Sequence, residues 1–443
     1  MSGRPRVVVV GAGFGGLSAA RSLANSQVDV VVIDHNNYHT FHALLYQVAA
    51  AELGPEQISY PIRTILRPVS NARFLMDHVE RVELDSKLVF TARDTMSYDF
   101  LVLAPGSKSR FYGVPGAAEH AFELKTLDHA IGLRNHILCC LERAVQECTT
   151  EGRRRLLNFV IVGGGPTGVE FAGALAELLR GPLMRDYDVL SVTEKEISVI
   201  EASDSLLSGL PKLCGLYAKE RLSRMGVGVR LNTAVREVTR SGVCLDTGSI
   251  VESETVLWTA GVRGDDLLKV SGVPTSRDGR VPVLPTLQVA DHPEVYVIGD
   301  SAYLEKDGRA LPFVAPVAIQ QGAAAAENIR RQLDKSAPVP FGYRDKGSLA
   351  TVGRLAAVAS IGRFEFKGPL AWVLWLTIHI FNLIGFRNRL LVIVNWAWDF
   401  LFWDRAVRLI LPSEACTKSR QPQSHRKGQN RDILDRSTRK EDS

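Results

Sequence analysis

Two glycine triplets carry most of the chemistry that this chain's residues can do. Gly11, Gly13 and Gly16 stand in GAGFGG, directly after the valines Val7 to Val10. A strand that runs into GxGxxG and opens a helix suits a pyrophosphate. The first glycine permits the tight turn, the second lets backbone approach the phosphates, and the third lets helix pack on strand. The free N–H groups at the helix start then face the anion. A second strand, VDVVVID, ends at Asp34, placed to accept hydrogen bonds from a ribose.

The pattern returns at NFVIVGGGPTGVEF, with Gly163, Gly165 and Gly168 in the three slots and Glu201 closing the strand ISVIE. Glu201 lies further from its glycines than is usual, which implies an insertion over residues 179–194 and leaves Glu194 as a rival for the ribose. An acid in this place repels a 2′-phosphate, so NADH is favoured over NADPH. Two dinucleotide sites predict two dinucleotides, FAD held by the first and a nicotinamide exchanged at the second. VYVIGDSA stops at Gly299 and Asp300, where a carboxylate suits a flavin ribityl hydroxyl. Taken alone, that Gly-Asp pair is an ordinary β-turn. FLVLAPGS (100–107) and TVLWTAGV (255–262) each read as a buried strand entering a small-residue turn between the nucleotide units.

The elements that position these residues amount to an α/β architecture of two Rossmann-like dinucleotide-binding domains, the second inserted in the first, plus a C-terminal helical region that associates with a membrane. The expected division is residues 1–115 with 293–335 for FAD, 116–157 as a helical connection, 158–292 for NADH and 336–411 for membrane docking. A polar, basic tail over 412–443 reads as disordered. A length of 443 residues exceeds one typical core. The net charge of +5 is too modest to argue for nucleic acid. Six cysteines form neither a CxxC pair nor zinc spacing, so no metal is expected and the thiols read as reduced. MSGRPRVVVVGAG is a strand entering a turn, not a secretory signal, and the body is expected to face the cytoplasm.

With these residues placed, the chain resembles the type II NADH dehydrogenases, single-subunit NADH:quinone reductases that pump no protons. The likeness runs from about Arg6 to Leu411. It rests on HNNYHTFHALLYQVA (35–49), GGGPTGVEFAGAL (163–175), WTAGVR (258–263), VIGD (297–300) and the apolar region 371–400. It implies FAD at Gly11, Gly13, Gly16, Asp34 and Asp300, to which Phe14, Gly15, Val79, Ala104, Gly106, Gly299 and Ala318 are added. It implies NADH at Gly163, Gly165, Gly168 and Glu201, with Thr167 and Gly261. Glu170 matches an acid that the family places near the nicotinamide, in an electrostatic or proton-handling role. The family's AQxAxQQ helix lines the quinone pocket; residues 315–321 here read APVAIQQ. Gln320 and Gln321 are kept as candidate catalytic residues. Pro316 replaces the first glutamine, which puts the quinone's identity or use in question and keeps a soluble acceptor, such as ferredoxin or oxygen, as the alternative. A non-catalytic redox-sensing flavoprotein is the third reading.

From Gly368 to Phe386 no residue is charged, close to the length of a membrane-spanning helix. Thr377, His379 and Asn382 interrupt it, which favours lying on the bilayer over crossing it. Trp396, Phe400, Trp403, Val407 and Ile410 fall at helical spacing, with Arg405 and Arg408 on the opposite side, and predict an interfacial helix. Core packing or a dimer seam would give the same spacing. The expected partners are therefore a membrane quinone, a lipid surface and a second copy of the chain, at the cytoplasmic face of the inner membrane.

Overall fold

The computed structural model describes residues 3–187, 189–190, 195–402, 405 and 407–410. Glu194, Trp403 and the tail 412–443 lie outside the described residues. Two sheets organise the chain. In the first, the order is Gln288–Val289, His292–Val297, Phe100–Leu103, Arg6–Val10, Asp29–Asp34, Ala72–Met76. Its first pair is antiparallel and the rest parallel, with Val10 opposite both Ile33 and Leu103. The second runs Val227–Arg230, Glu196–Ile200, Asn158–Val162, Thr255–Trp258, all parallel. Each glycine turn follows a central strand, flanked by the strand that ends in an acid and the strand that ends in small residues.

Parallel sheets are covered on both faces, so their strands read as unbroken apolar runs. That is why Val7 to Val10 and Phe159 to Val162 are buried without alternation. The second sheet is complete before His292–Val297 returns to the first, so the second unit is inserted in the first. The link between them is helical. Leu127–Gln146 is capped by Thr126, whose side chain accepts from the His129 N–H.

Three helices bear on the site. Helix α1 (Phe14–Ser22) follows the first glycine turn, α2 (Pro166–Arg180) the second, and α3 (Ala315–Leu333) lies across α1. The crossing is close because glycines meet there: a Cβ on Gly322 would sit 2.3 Å from the Gly15 carbonyl oxygen. Pro316 occupies the first turn of α3, where a missing N–H costs no hydrogen bond.

The C-terminal region holds an element that sequence did not announce, a three-stranded antiparallel sheet of Ser348–Thr351, Ala357–Ile361 and Phe364–Lys367. Helix α4 (Pro369–Asn382) follows. Fourteen residues span about 21 Å at 1.5 Å each, well short of a hydrocarbon core of about 30 Å. Among the described residues no helix is long and apolar enough to cross a membrane. The three polar residues of α4 are satisfied internally. Thr377, His379 and Asn382 bond the carbonyls of Val373, Trp375 and Ile378, at 2.9, 2.7 and 2.7 Å. Gly385, at φ +90°, turns the chain into α5 (Phe386–Phe402).

The expected stripe from Trp396 to Ile410 is corrected here. Helix α5 ends at Phe402, so Val407 and Ile410 do not continue its face. Trp396 and Phe400 turn inward and are half-buried, and Arg405 is buried rather than solvent-facing. The outward face carries Leu390, Ile393, Val394, Trp398, Leu401 and Phe402 instead. Periodicity could not choose between them, because α5 is apolar on both sides. A second departure concerns the thiols. Cys140, Cys148, Cys214 and Cys244 are free, whereas Cys139 is disulfide-bonded.

Candidate active site

The two glycine turns are built alike. Gly11 and Gly163 have φ of +95° and +112°, and a Cβ there would collide with Ala104 and Ala260. A Cβ on Gly16 or Gly168 would lie within 2.0 Å of the carbonyl oxygen of Gly11 or Gly163. The middle glycines differ: a Cβ on Gly13 or Gly165 would meet no protein atom within 4 Å. Packing does not require glycine at these two positions, whereas close approach of a ligand to the backbone does.

The acids are matched too. Asp34 accepts the Ala12 N–H (2.7 Å) and the Asn36 N–H (2.8 Å). Glu201 accepts the Gly164 N–H (2.6 Å), the Ser203 N–H (2.8 Å) and the Ser203 hydroxyl (2.7 Å). Each acid thus holds the residue after its first glycine, and Glu201 is the structural counterpart of Asp34.

Around the first turn the remaining candidates converge. Phe14 meets His39 edge-on at 4.8 Å. Gly15 lies against Ile298 and Ala318, and Ala104 donates its N–H to Val10 at 2.8 Å. Val79 follows Asp77, whose N–H reaches the Asp34 carbonyl at 3.0 Å. Gly106 accepts from Ser301 (3.0 Å), and the Gly299 N–H donates to buried Gln321 Oε1 (2.6 Å). Asp300 accepts from Ser107 (2.6 Å), which accepts from Lys125 (3.0 Å). Two buried nitrogens here, Nε2 of His39 and Nε2 of Gln321, have no partner in the protein. A buried polar atom left unpaired is costly, and a ligand rich in oxygen and nitrogen at this turn would relieve both. The residues present fit a flavin dinucleotide.

Gln320 does not join this set. Its amide donates to the Arg344 carbonyl (2.9 Å) and accepts the Arg344 N–H (3.0 Å). It fastens the chain after α3.

Two cavities meet behind these turns. One, of about 200 Å³, is lined among others by His42, Lys125, Thr167, Thr259, Gly261 and Phe313. The other, of about 80 Å³, is lined by Glu52, Glu177, Arg354, Trp372, Trp396 and Asp399. Tyr46 and Glu170 line both. Burial pushes the Glu170 carboxyl up to about 8, against the Thr351 amide and the Trp375 indole, which both hold it down. Its Oε1 accepts the Thr351 N–H at 3.3 Å. A run of hydrogen bonds then leads outward. Tyr46 bonds Thr351 (3.0 Å), Gln47 donates to Tyr46 (3.2 Å), and the Trp396 indole N–H donates to Gln47 (3.0 Å). Tyr46 and Gln47 sit within the motif 35–49, so a sequence signal surrounded them without naming them. Lys125 and Thr351 carried no such signal.

The chain matches the pyridine nucleotide-disulphide oxidoreductase family over residues 5–322 and the NDH2 C-terminal domain over residues 346–403. It is 36% identical over 432 residues to the type II NADH:quinone oxidoreductase Ndh of Mycobacterium tuberculosis, covering 94% of this chain and 92% of that protein. NdhA of the same organism, bearing the same description, is 36% identical over 418 residues, covering 90% and 88%. The chain belongs to the type II NADH:quinone oxidoreductase family. The structure of NDH2 from Plasmodium falciparum in complex with NADH superimposes with a TM-score of 0.85 at 19% identity. It covers 92% of this chain and all of that one, so the fold of the family extends through the C-terminal helices. In this type II oxidoreductase, the glycine turns, Glu170 and the inner face of α5 therefore lie within one shared architecture.

Proposed function

We propose that this NADH dehydrogenase passes a hydride from NADH to FAD and two electrons on to a membrane quinone, without moving protons across the bilayer. In sum, NADH, one proton and quinone give NAD⁺ and quinol. When bound, the flavin accepts the hydride and divides that transfer from quinone reduction. The chain's residues supply the rest. Gly11, Gly13 and Gly16 with Asp34 would hold the dinucleotide of FAD, and Asp300 and Gln321 its other end. Gly163, Gly165 and Gly168, with Glu201, Thr167 and Gly261, would hold NADH. Hydride transfer needs the two rings held close and aligned, and no side-chain acid.

The observation that carries the reading is Glu170, buried where the two cavities meet. With its carboxyl near 8, it holds a proton at neutral pH, which the quinone's reduction consumes. Helices α4 and α5 are taken to rest on the lipid surface at the cytoplasmic face of the inner membrane, through exposed Phe381, Phe386, Trp398 and Leu401. A second copy of the chain would double that contact. The test is steady-state NADH oxidation with menaquinone and ubiquinone analogues in liposomes. Yellow protein that oxidises NADH and reduces a quinone is expected; colourless protein, or none of that turnover, refutes the reading.

A further inference from the structure

Arg405 follows α5, two residues beyond the stretch that matches the family's C-terminal domain, which ends at 403. Its side chain is only 3% exposed, and it reaches three parts of the molecule at once. From the first unit, Glu52 lies 2.8 Å away and the Ala50 carbonyl accepts at 3.1 Å. From α2, the Ala174 carbonyl accepts at 3.0 Å and Glu177 lies 3.4 Å away. From α5 itself, Asp399 lies 3.5 Å away. A guanidinium presents five donors in a fixed plane, so a set of partners this divided holds their relative positions, which a single ammonium cannot do.

The position along α2 matters. Glu170, Ala174 and Glu177 fall at helical spacing on one side of α2, and Thr167 begins the same helix. Glu52 and Glu177 line the same cavity as Glu170. The Arg354 N–H also donates to Glu177, and its guanidinium lies 3.9 Å over the Phe400 ring. Among the described residues, Arg405 thus faces a carboxylate and a backbone carbonyl from each of the first unit and α2, and a carboxylate from α5, with Arg354 bonded to Glu177.

We propose that Arg405 is a positioning residue: by tying α2 to the first nucleotide unit, it holds Thr167, at the start of that helix, in register for hydride transfer. The proposal rests on the function proposed above, so the wild-type enzyme is the control that separates them. The experiment is stopped-flow reduction of flavin-loaded protein by saturating NADH, comparing wild type with Arg405→Met and Arg405→Lys. Flavin occupancy and thermal midpoint are measured alongside. A displacement of reacting groups by about an ångström costs up to about a hundredfold in rate. A slowing of flavin reduction of about tenfold or more in Arg405→Met is expected on that scale. Arg405→Lys, which keeps the charge but not the fork, is expected to fall between. Millimolar guanidinium added to Arg405→Ala should restore part of the rate, which simple loss of stability would not predict.

Flavin reduction at the wild-type rate in fully loaded Arg405→Met overturns the proposal, even if its thermal midpoint falls. If Arg405→Met yields no loaded protein, Arg405→Lys decides: an unchanged rate overturns the proposal and a slowed one supports it. A wild-type enzyme that NADH cannot reduce refutes the function instead.

Discussion

Replacing Glu170 with glutamine should separate a carboxyl that carries protons from one that merely fills space. Glutamine keeps the shape and the oxygen that accepts the Thr351 N–H, but it cannot ionise. The folded protein holds the Glu170 proton up to about pH 8, whereas an exposed carboxyl of the unfolded chain loses it near 4.5. Between those values the folded state binds more protons, so this group's contribution to stability falls as pH rises. At about 1.4 kcal/mol per unit, the share lost between roughly pH 6 and pH 8 is about 2 kcal/mol. Glu52, which burial pushes up and the Arg405 guanidinium holds down, is present in both proteins and cancels in the comparison. Urea midpoints of wild type and Glu170→Gln should therefore diverge as pH rises, in favour of the variant. The pH profile of quinone reduction should lose an inflection near 8 in the variant, with a rate lower by about a hundredfold, as for loss of a general acid. Parallel stability curves from about pH 6 to 9, together with an unaltered rate profile, would refute the assignment of the proton to Glu170.

Three further outcomes follow from the geometry. Gly13→Ala should fold with a normal thermal midpoint yet purify with little flavin absorbance, because its Cβ meets no protein atom, whereas Gly16→Ala should fail to fold, its Cβ falling 1.8 Å from the Gly11 oxygen. Glu201→Ala should raise the KM for NADH by about tenfold or more and leave that for NADPH nearly unchanged, a selectivity read from paired steady-state titrations. Changing Trp398 and Leu401 together to serine should abolish sedimentation with anionic vesicles while NADH oxidation by a soluble acceptor persists, since each side chain contributes roughly 1.5–3 kcal/mol when buried in lipid.

Sequence by itself determined the parts that depend on local pattern. The valine runs, the glycine spacing and the closing acids settled where both nucleotide turns fall, because steric need and strand burial are written into neighbouring residues. The inference of an insertion before Glu201 was equally local. What only the tertiary structure decided lies where distant residues meet. Gln320 and Gln321 are neighbours in sequence, yet one fastens Arg344 and the other the Gly299 turn, because successive helical residues point about 100° apart. Tyr46, Thr351, Glu170 and Trp396 come from four separate stretches, and no spacing could have joined them. Arg405 read as a solvent-facing cation, since charge alone predicts exposure. Three carboxylates from three parts of the fold, invisible to any linear pattern, made its burial possible.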